Sequence, residues 1–347
     1  MEIYIADIKS HQNSDGSCTG HYIPVAKNYQ QMFKDRCRVV VAGGPVYKRY
    51  FGDEELLKLP YSIMSDSPKG KLKTFINSIV LFWKARGNVI VLQQSTAVTS
   101  FISIALFFWW TGELYLIQYN TEAINCPFKR FLYSLAKLKI SGFICPNEHV
   151  GKAFRCSYVA VPDYIYADNE LPVMKSFEDR EYDFCILGTI HRDKGVIEAA
   201  QKLRKCSYKV LIAGRVATSD LQYELETVVA GCDNIELRLE YVSNEKYVEY
   251  IQNSKYCLLN YYGTYLDRSS GVVLDIIHHG TPVVGRRCIA LKIIEDYNIG
   301  CLYNDIEGVD FETTLNRETY KLYCEHIIKY LSNQKDDIEK LEKFLKK

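Results

Sequence analysis

The residues able to do chemistry gather in three short stretches, each rich in glycine, hydroxyls or charge. The densest reads Tyr265-Leu-Asp267-Arg-Ser269-Ser270-Gly271-Val-Val-Leu-Asp275 and continues to Gly280-Thr-Pro282-Val-Val284. Ser269, Ser270 and Gly271 are residue types that begin helices, and such a start offers hydroxyl and N–H donors to a phosphate. Asp275 falls one turn inside that helix, where a carboxylate accepts hydrogen bonds from ribose hydroxyls. Asp267 stands eight residues earlier. Gly280 is placed to end the helix and Pro282 to begin a strand. The second stretch, Gly188-Thr189-Ile-His-Arg192-Asp-Lys194-Gly195, sets two cations just before another helix. Cations beside a helix N-terminus are unfavourable unless an anion joins them. Lys, Arg and N–H groups together make a diphosphate site; a solvated loop is the competing reading. The third stretch, Asp15-Gly16-Ser-Cys-Thr-Gly20-His21, carries two glycines that let backbone approach a ligand closely. It is not G-x-G-x-x-G, so it reads as a ligand loop or as an ordinary turn.

Such joints need strands behind them and helices ahead. Short apolar runs alternate with helical periodicity, which predicts βαβ units and parallel sheets. Strands are expected at residues 2–7, 38–42, 88–93, 114–119, 142–145 and 158–161. Helices are expected after Gly20 and over about 72–86, 99–110 and 127–139. The alternation then restarts, with strands at 183–188, 209–214, 234–239, 256–260, 282–285 and 300–303. Its helices fall near 195–205, 221–230, 244–253 and 271–279. The polar stretch 168–182 is the expected linker. Residues from about 318 onward read as helical, with Ile338, Leu341, Phe344 and Leu345 on one face. The expected division is 1–168 and 169–329, with a helix at about 330–347 packing back onto the first domain.

Composition narrows the function classes. The 347 residues are 48% hydrophobic and 24% charged, which excludes a disordered, collagen-like or coiled-coil chain. Net charge is +1, so the chain as a whole shows no nucleic-acid footprint. The first 168 residues hold 19 Lys/Arg against 13 Asp/Glu, and the remainder 24 against 29, so the halves suit different partners. Twelve cysteines include no C-x-x-C pair, and the pattern predicts reduced thiols and no metal site. MEIYIADI lacks a basic n-region, and the most apolar run, 98–110, is too short to span a bilayer. A cytoplasmic protein is expected. Lys69, Lys71 and Lys73 lead into Phe75, Ile76, Ile79, Val80, Phe82 and Trp83, while Lys129 and Arg130 precede Phe131, Leu132 and Leu135, with Lys137 and Lys139 after. Basic flanks with apolar faces suit helices on the inner face of an anionic membrane, and equally ordinary helices on a sheet. Tyrosines crowd residues 241–265, where Tyr262 and Tyr265 precede the densest stretch and could stack on a sugar or base; packing is the plainer reading.

In this order the segments resemble family 4 retaining glycosyltransferases, which have the α/β GT-B fold of two Rossmann-like domains with parallel sheets facing across a cleft. Gly188 to Lys194-Gly195 resembles that family's G-R-x4-K-G joint, and Val210-Leu-Ile-Ala-Gly214 its apolar strand ending in glycine. Tyr241-Val-Ser-Asn-Glu245 resembles its G-x-V-S-x-E/D turn. Asp267-x7-Asp275 followed by Gly280-Thr-Pro-Val-Val284 resembles E-x7-E followed by G-x-P-V-V. The resemblance is specific over about 183–305. Gly16, Gly20 and His21 match the acceptor-side loop more loosely, and Pro162-Asp163-Tyr164-Ile165 matches a P-N-G-I/V turn.

The resemblance implies a nucleotide-diphosphate sugar as donor substrate, no cofactor, no metal, and a glycan or lipid-linked saccharide as acceptor. It assigns Lys194 to the diphosphate, Asp275 to the ribose, Asp267 to the sugar hydroxyls as the catalytic candidate, and Ser269, Ser270 and Gly271 to phosphate. Both family glutamates are aspartates here, and Thr189 stands where the family has arginine. The second cation then falls to Arg192 or Arg215. No histidine stands near Tyr119-Asn120, leaving His21 as the first-domain imidazole candidate. A nucleotide-sugar 2-epimerase of the same fold and a non-catalytic nucleotide-sugar-binding partner subunit are the rival readings. A periplasmic-type binding protein is disfavoured by its cysteines and by MEIYIADI.

Overall fold

The computed structural model describes residues 2–18, 22–93, 98–107, 112–162, 164–165, 171–266 and 269–346. The chain divides into two compact units, Met1–Asp168 with Gln334–Lys347, and Asn169–Asn333.

In the first unit, strands β1 (Glu2–Ala6), β2 (Arg38–Gly43), β3 (Leu56–Lys58), β4 (Val89–Leu92), β5 (Glu113–Ile117), β6 (Gly142–Cys145) and β7 (Tyr158–Ala160) form one parallel sheet, ordered β3-β2-β1-β4-β5-β6-β7. Helices α1 (Tyr22–Phe33), α2 (Pro68–Lys84), α3 (Val98–Leu106), α4 (Pro127–Ala136) and α5 (Glu148–Ala153) make the crossovers. Both faces are covered, so the strands are apolar throughout. Ile3 and Ile5 point into the core under α1, and Tyr4 and Ala6 into the opposite core under α2 to α5. The three-residue edge strand β3 is absent from the sequence reading.

The second unit repeats the plan. Strands β8 (Tyr182–Leu187), β9 (Val210–Ala213), β10 (Ile235–Arg238), β11 (Ser254–Leu259), β12 (Val283–Arg286) and β13 (Gly300–Tyr303) lie in the parallel order β10-β9-β8-β11-β12-β13. Between them run α6 (Val196–Leu203), α7 (Ser219–Val229), α8 (Asn244–Gln252), α9 (Gly271–His278) and α10 (Lys292–Tyr297), followed by α11 (Phe311–Thr314) and α12 (Arg317–Ser332). Arg180, buried in the approach to β8, ties the elements together. Its guanidinium donates to Gln252 O (2.9 Å), Thr281 Oγ1 (2.8 Å) and Gly280 O (2.9 Å).

The helical tail is broken at Asn333 rather than continuous. Helix α12 buries Tyr320, Tyr323 and Ile327 in the second unit, whereas α13 (Gln334–Leu345) buries Ile338, Leu341, Phe344 and Leu345 in the first. Each such side chain contributes about 1.5–3 kcal/mol on burial. Tyr115 Oη donates to Phe344 O (3.0 Å) and Lys340 Nζ to Ala160 O (2.7 Å), fixing α13 against the sheet. Among the described residues no helix is long and apolar enough to cross a membrane.

Candidate functional site

Strand order reverses beside β8 in the second sheet, with β9 on one side and β11 on the other. In open parallel sheets ligands bind at the carboxyl ends of strands on either side of such a reversal. The crossovers leaving β8 and β11 therefore meet at one point, and the sequence supplies their chemistry.

Leaving β8, the chain passes Gly188 at φ +90° and makes a single helical turn over Arg192–Lys194 before Gly195 at φ +57° opens α6. Lys194 is 6% exposed. Its ammonium donates to Leu187 O (3.2 Å) and lies 3.0 Å from where a Cβ on residue 188 would stand. Glycine at 188 thus leaves room for that ammonium over the strand end. A Cβ on residue 195 would stand 2.2 Å from Asn260 O and 2.4 Å from the Tyr262 ring. Only glycine combines that left-handed backbone with so close an approach.

Asn260, buried at the end of β11, fastens the two crossovers. Its Nδ2 donates to Gly195 O (3.0 Å), and its Oδ1 accepts from Tyr303 Oη (3.1 Å). Asp193 closes the same junction from outside: its main-chain oxygen accepts from Tyr262 N (2.7 Å), and its carboxylate from Thr264 N (3.1 Å) and Thr264 Oγ1 (2.8 Å). Arg286, ending β12, lays its guanidinium 4.1 Å from the centre of the Tyr262 ring, the same ring that abuts Gly195.

Aromatic rings join the second and third sequence stretches. Tyr261 stacks on Tyr265 at 4.1 Å, and Tyr265 Oη meets His191 Nε2 at 3.3 Å. Tyr261 Oη meets Ser270 Oγ at 3.1 Å. Ser270 is the N-cap of α9, but its hydroxyl turns to that tyrosine rather than to a helix N–H. Ser269 precedes it and Gly271 opens the helix. Asp275 is half-buried in α9, and its charge is felt by Tyr247 and His279. Burial depresses the His279 imidazole below its ordinary value, against the pull of Asp275.

The two candidate second cations belong to the same joint: Arg192 opens the turn that carries Lys194, and Arg215 O accepts from Ile190 N (2.9 Å). Arg192 is exposed and paired with Glu224 on α7 (2.8 Å), and the Arg215 side chain is exposed just past β9. Asp267, Gly20 and His21 lie outside the described residues. Gly16, at φ +78°, is covered by the Arg49 guanidinium, which stands 2.6 Å from where its Cβ would be. Asn260 and Arg286 were missed by the sequence reading. The signals were faint: a polar residue closing the apolar run 256–259, and an arginine one step past the expected strand 282–285. Gln93 and Gln118, beyond the ends of β4 and β5, were missed likewise; both side-chain amides are buried without a hydrogen-bond partner among the described residues. Such groups are rare in native interiors.

No family model matches the chain, and no curated protein matches it in sequence. Solved structures match along nearly its whole length. A glycosyltransferase from Rickettsia africae ESF-5 superposes with TM-score 0.69 at 11% identity, over 99% of this chain and 96% of that one. An α,α-trehalose-phosphate synthase (UDP-forming) from Burkholderia vietnamiensis gives 0.68 at 9%, over 98% and 95%. Anabaena HepE, solved in complex with UDP and glucose, gives 0.65 at 12%, over 96% and 95%. The fold is GT-B, two Rossmann-like α/β domains each built on a parallel sheet.

Proposed function

We propose that this chain is a glycosyltransferase that moves a sugar from a nucleotide-diphosphate donor to a glycan or lipid-linked saccharide, with retention at the sugar carbon. The observation that carries this reading is Lys194, a buried ammonium held at the carboxyl end of β8 where the strand order reverses. A cation in that position, beside the start of α6, suits a diphosphate. A departing nucleoside diphosphate gains negative charge in the transition state, and a preorganised cation there lowers the barrier.

The second cation is Arg286 in this reading, in place of Arg192 and Arg215. Its guanidinium is steadied by the Tyr262 ring, which reaches the Lys194–Gly195 turn, whereas Arg192 is engaged by Glu224. Ser269, Ser270 and Gly271 serve the phosphates, Asp275 the ribose and Asp267 the transferred sugar. Phosphate charge is met by side chains and N–H groups, so the proposed transfer needs no metal. The acceptor falls to the first unit, with Gly16, Gly20 and His21 as its loop. Twelve cysteines, none in a disulfide, favour a reducing, cytoplasmic setting. The solved Anabaena complex with UDP and glucose supports the ligand class by likeness of fold.

The test is the melting temperature of the purified chain with UDP, GDP, ADP or CMP, with and without Mg²⁺. A ligand bound only to the native state raises it by mass action. A metal-independent rise with one diphosphate, abolished in Lys194→Ala, is expected. A folded chain indifferent to every nucleotide overturns the proposal.

A further inference from the structure

Helix α2 buries polar groups along its first turns. Its buried side carries Gly70, Thr74, Asn77 and Ser78 ahead of Leu81 and Phe82. The polar groups are satisfied within the first unit. Asn77 Nδ2 donates to Ile8 O (2.8 Å) and Tyr61 O (2.9 Å), and the Thr74 and Ser78 hydroxyls donate to carbonyls one turn back (3.0 and 2.9 Å). The outer side carries Leu72, Ile76, Ile79 and Trp83 at i, i+4, i+7 and i+11, a single stripe along the helix. Helix α4 repeats the arrangement. Phe128, Phe131, Leu135 and, just past its end, Leu138 follow one another at i, i+3, i+7 and i+10 on its outer side. Helix α3 packs between the two and adds Leu106. Apart from the half-buried Ile76, these side chains are 39–86% exposed.

Single exposed apolar residues are ordinary; apolar stripes on adjoining helices mark an interaction surface. The surrounding charge says which kind. Lys69, Lys71, Lys73 and Lys84 border the α2 stripe, and Lys129, Arg130, Lys137 and Lys139 border the α4 stripe. The three helices hold no aspartate or glutamate, in a chain with 43 basic and 42 acidic residues. The flanking carboxylates stand outside the helices: Asp66 is paired with Lys9 (3.1 Å), and Glu122 precedes α4. Apolar stripes rimmed by long cationic side chains suit the boundary between lipid headgroups and acyl chains, where the stems lie along apolar surface and the charges reach phosphates.

We propose that α2, α3 and α4 form a docking face for an anionic lipid bilayer. The inference does not depend on the donor site in the second unit. The test floats the full chain with vesicles of phosphatidylcholine alone or mixed equally with phosphatidylglycerol. Flotation is expected with the mixed vesicles, about fivefold or more above the neutral ones, and is expected to fall with salt. Trp83→Ser with Phe131→Ser should lower it about tenfold. Because apolar changes can disturb folding, Lys71→Glu, Lys84→Glu and Arg130→Glu are combined in a second variant at exposed positions. That variant should fall to the neutral-vesicle level at an unchanged melting temperature. The proposal is overturned by a folded wild-type chain that ignores anionic vesicles, or by charge reversal that leaves flotation intact. It is also overturned by a concentration-dependent dimer that Trp83→Ser abolishes, since a second copy would then cover the face.

Discussion

Both sheets are wound in one order, reversing beside β1 in the first and β8 in the second, yet a carboxyl group follows the first of those strands and an ammonium packs over the end of the other. Asp7 is fully buried and closed in by its own unit: Tyr47 Oη donates to it (2.9 Å), as does Lys9 N (3.0 Å). Burial pushes its carboxyl above the ordinary value, against those hydrogen bonds. Lys194 is buried too, over a strand end where glycine at 188 leaves room for its ammonium. One topology thus holds a buried acid at the reversal of the first sheet and a buried base at that of the second.

Lys194→Ala breaks the comparison most directly. Transfer should fall about 10²–10³-fold in kcat/KM, the cost of removing one charge-stabilising group. Steady-state kinetics beside a urea melt check this; comparable loss in both would mean that Lys194 only holds the fold. Gly195→Ala comes next, at about 1–3 kcal/mol of stability, because it strains a left-handed residue packed on Asn260. Chemical denaturation reads that difference.

Asp7→Asn sharpens the other side. A carboxyl raised in the fold favours its protonated form there. Its contribution is present below the unfolded value of about 3.9 and is lost as pH climbs through the folded one. The Asn variant should therefore gain on the wild type as pH climbs above about 4 in urea titrations. A margin that shrinks with pH would contradict the burial argument. Arg192→Ala should do least. Its exposed pair with Glu224 predicts less than about twofold change in kcat/KM and about 1 °C or less in Tm. A loss rivalling that of Lys194→Ala would return the second cation to Arg192 and remove it from Arg286.

The alternation of apolar runs was enough to place twelve of the thirteen strands among the described residues near their positions, because strands buried on both faces read as continuous hydrophobic segments. Strand β3 has three residues and helices α5 and α10 six each, too few for a period to declare itself. Lys194 was legible from its place before a helix. Asn260 and Arg286 were not, since their meeting with the Lys194 turn depends on β8, β11 and β12 lying side by side. Ser270 was expected to cap a helix, and the nearby Tyr261 hydroxyl claims it instead. The sequence showed the apolar residues of α2 but not which of them faced outward. That depended on Asn77 finding partners in Ile8 and Tyr61, far away in sequence.

The break at Asn333 has a consequence for synthesis. The ribosome must make all of Asn169–Asn333 before α13 emerges to cover Gly142 and Tyr115 with Phe344. At roughly 5–20 residues per second that interval is on the order of ten to thirty seconds. The unit made first is thus completed only by the last residues of the chain, and until they arrive Gly142 and Tyr115 lack the cover of Phe344.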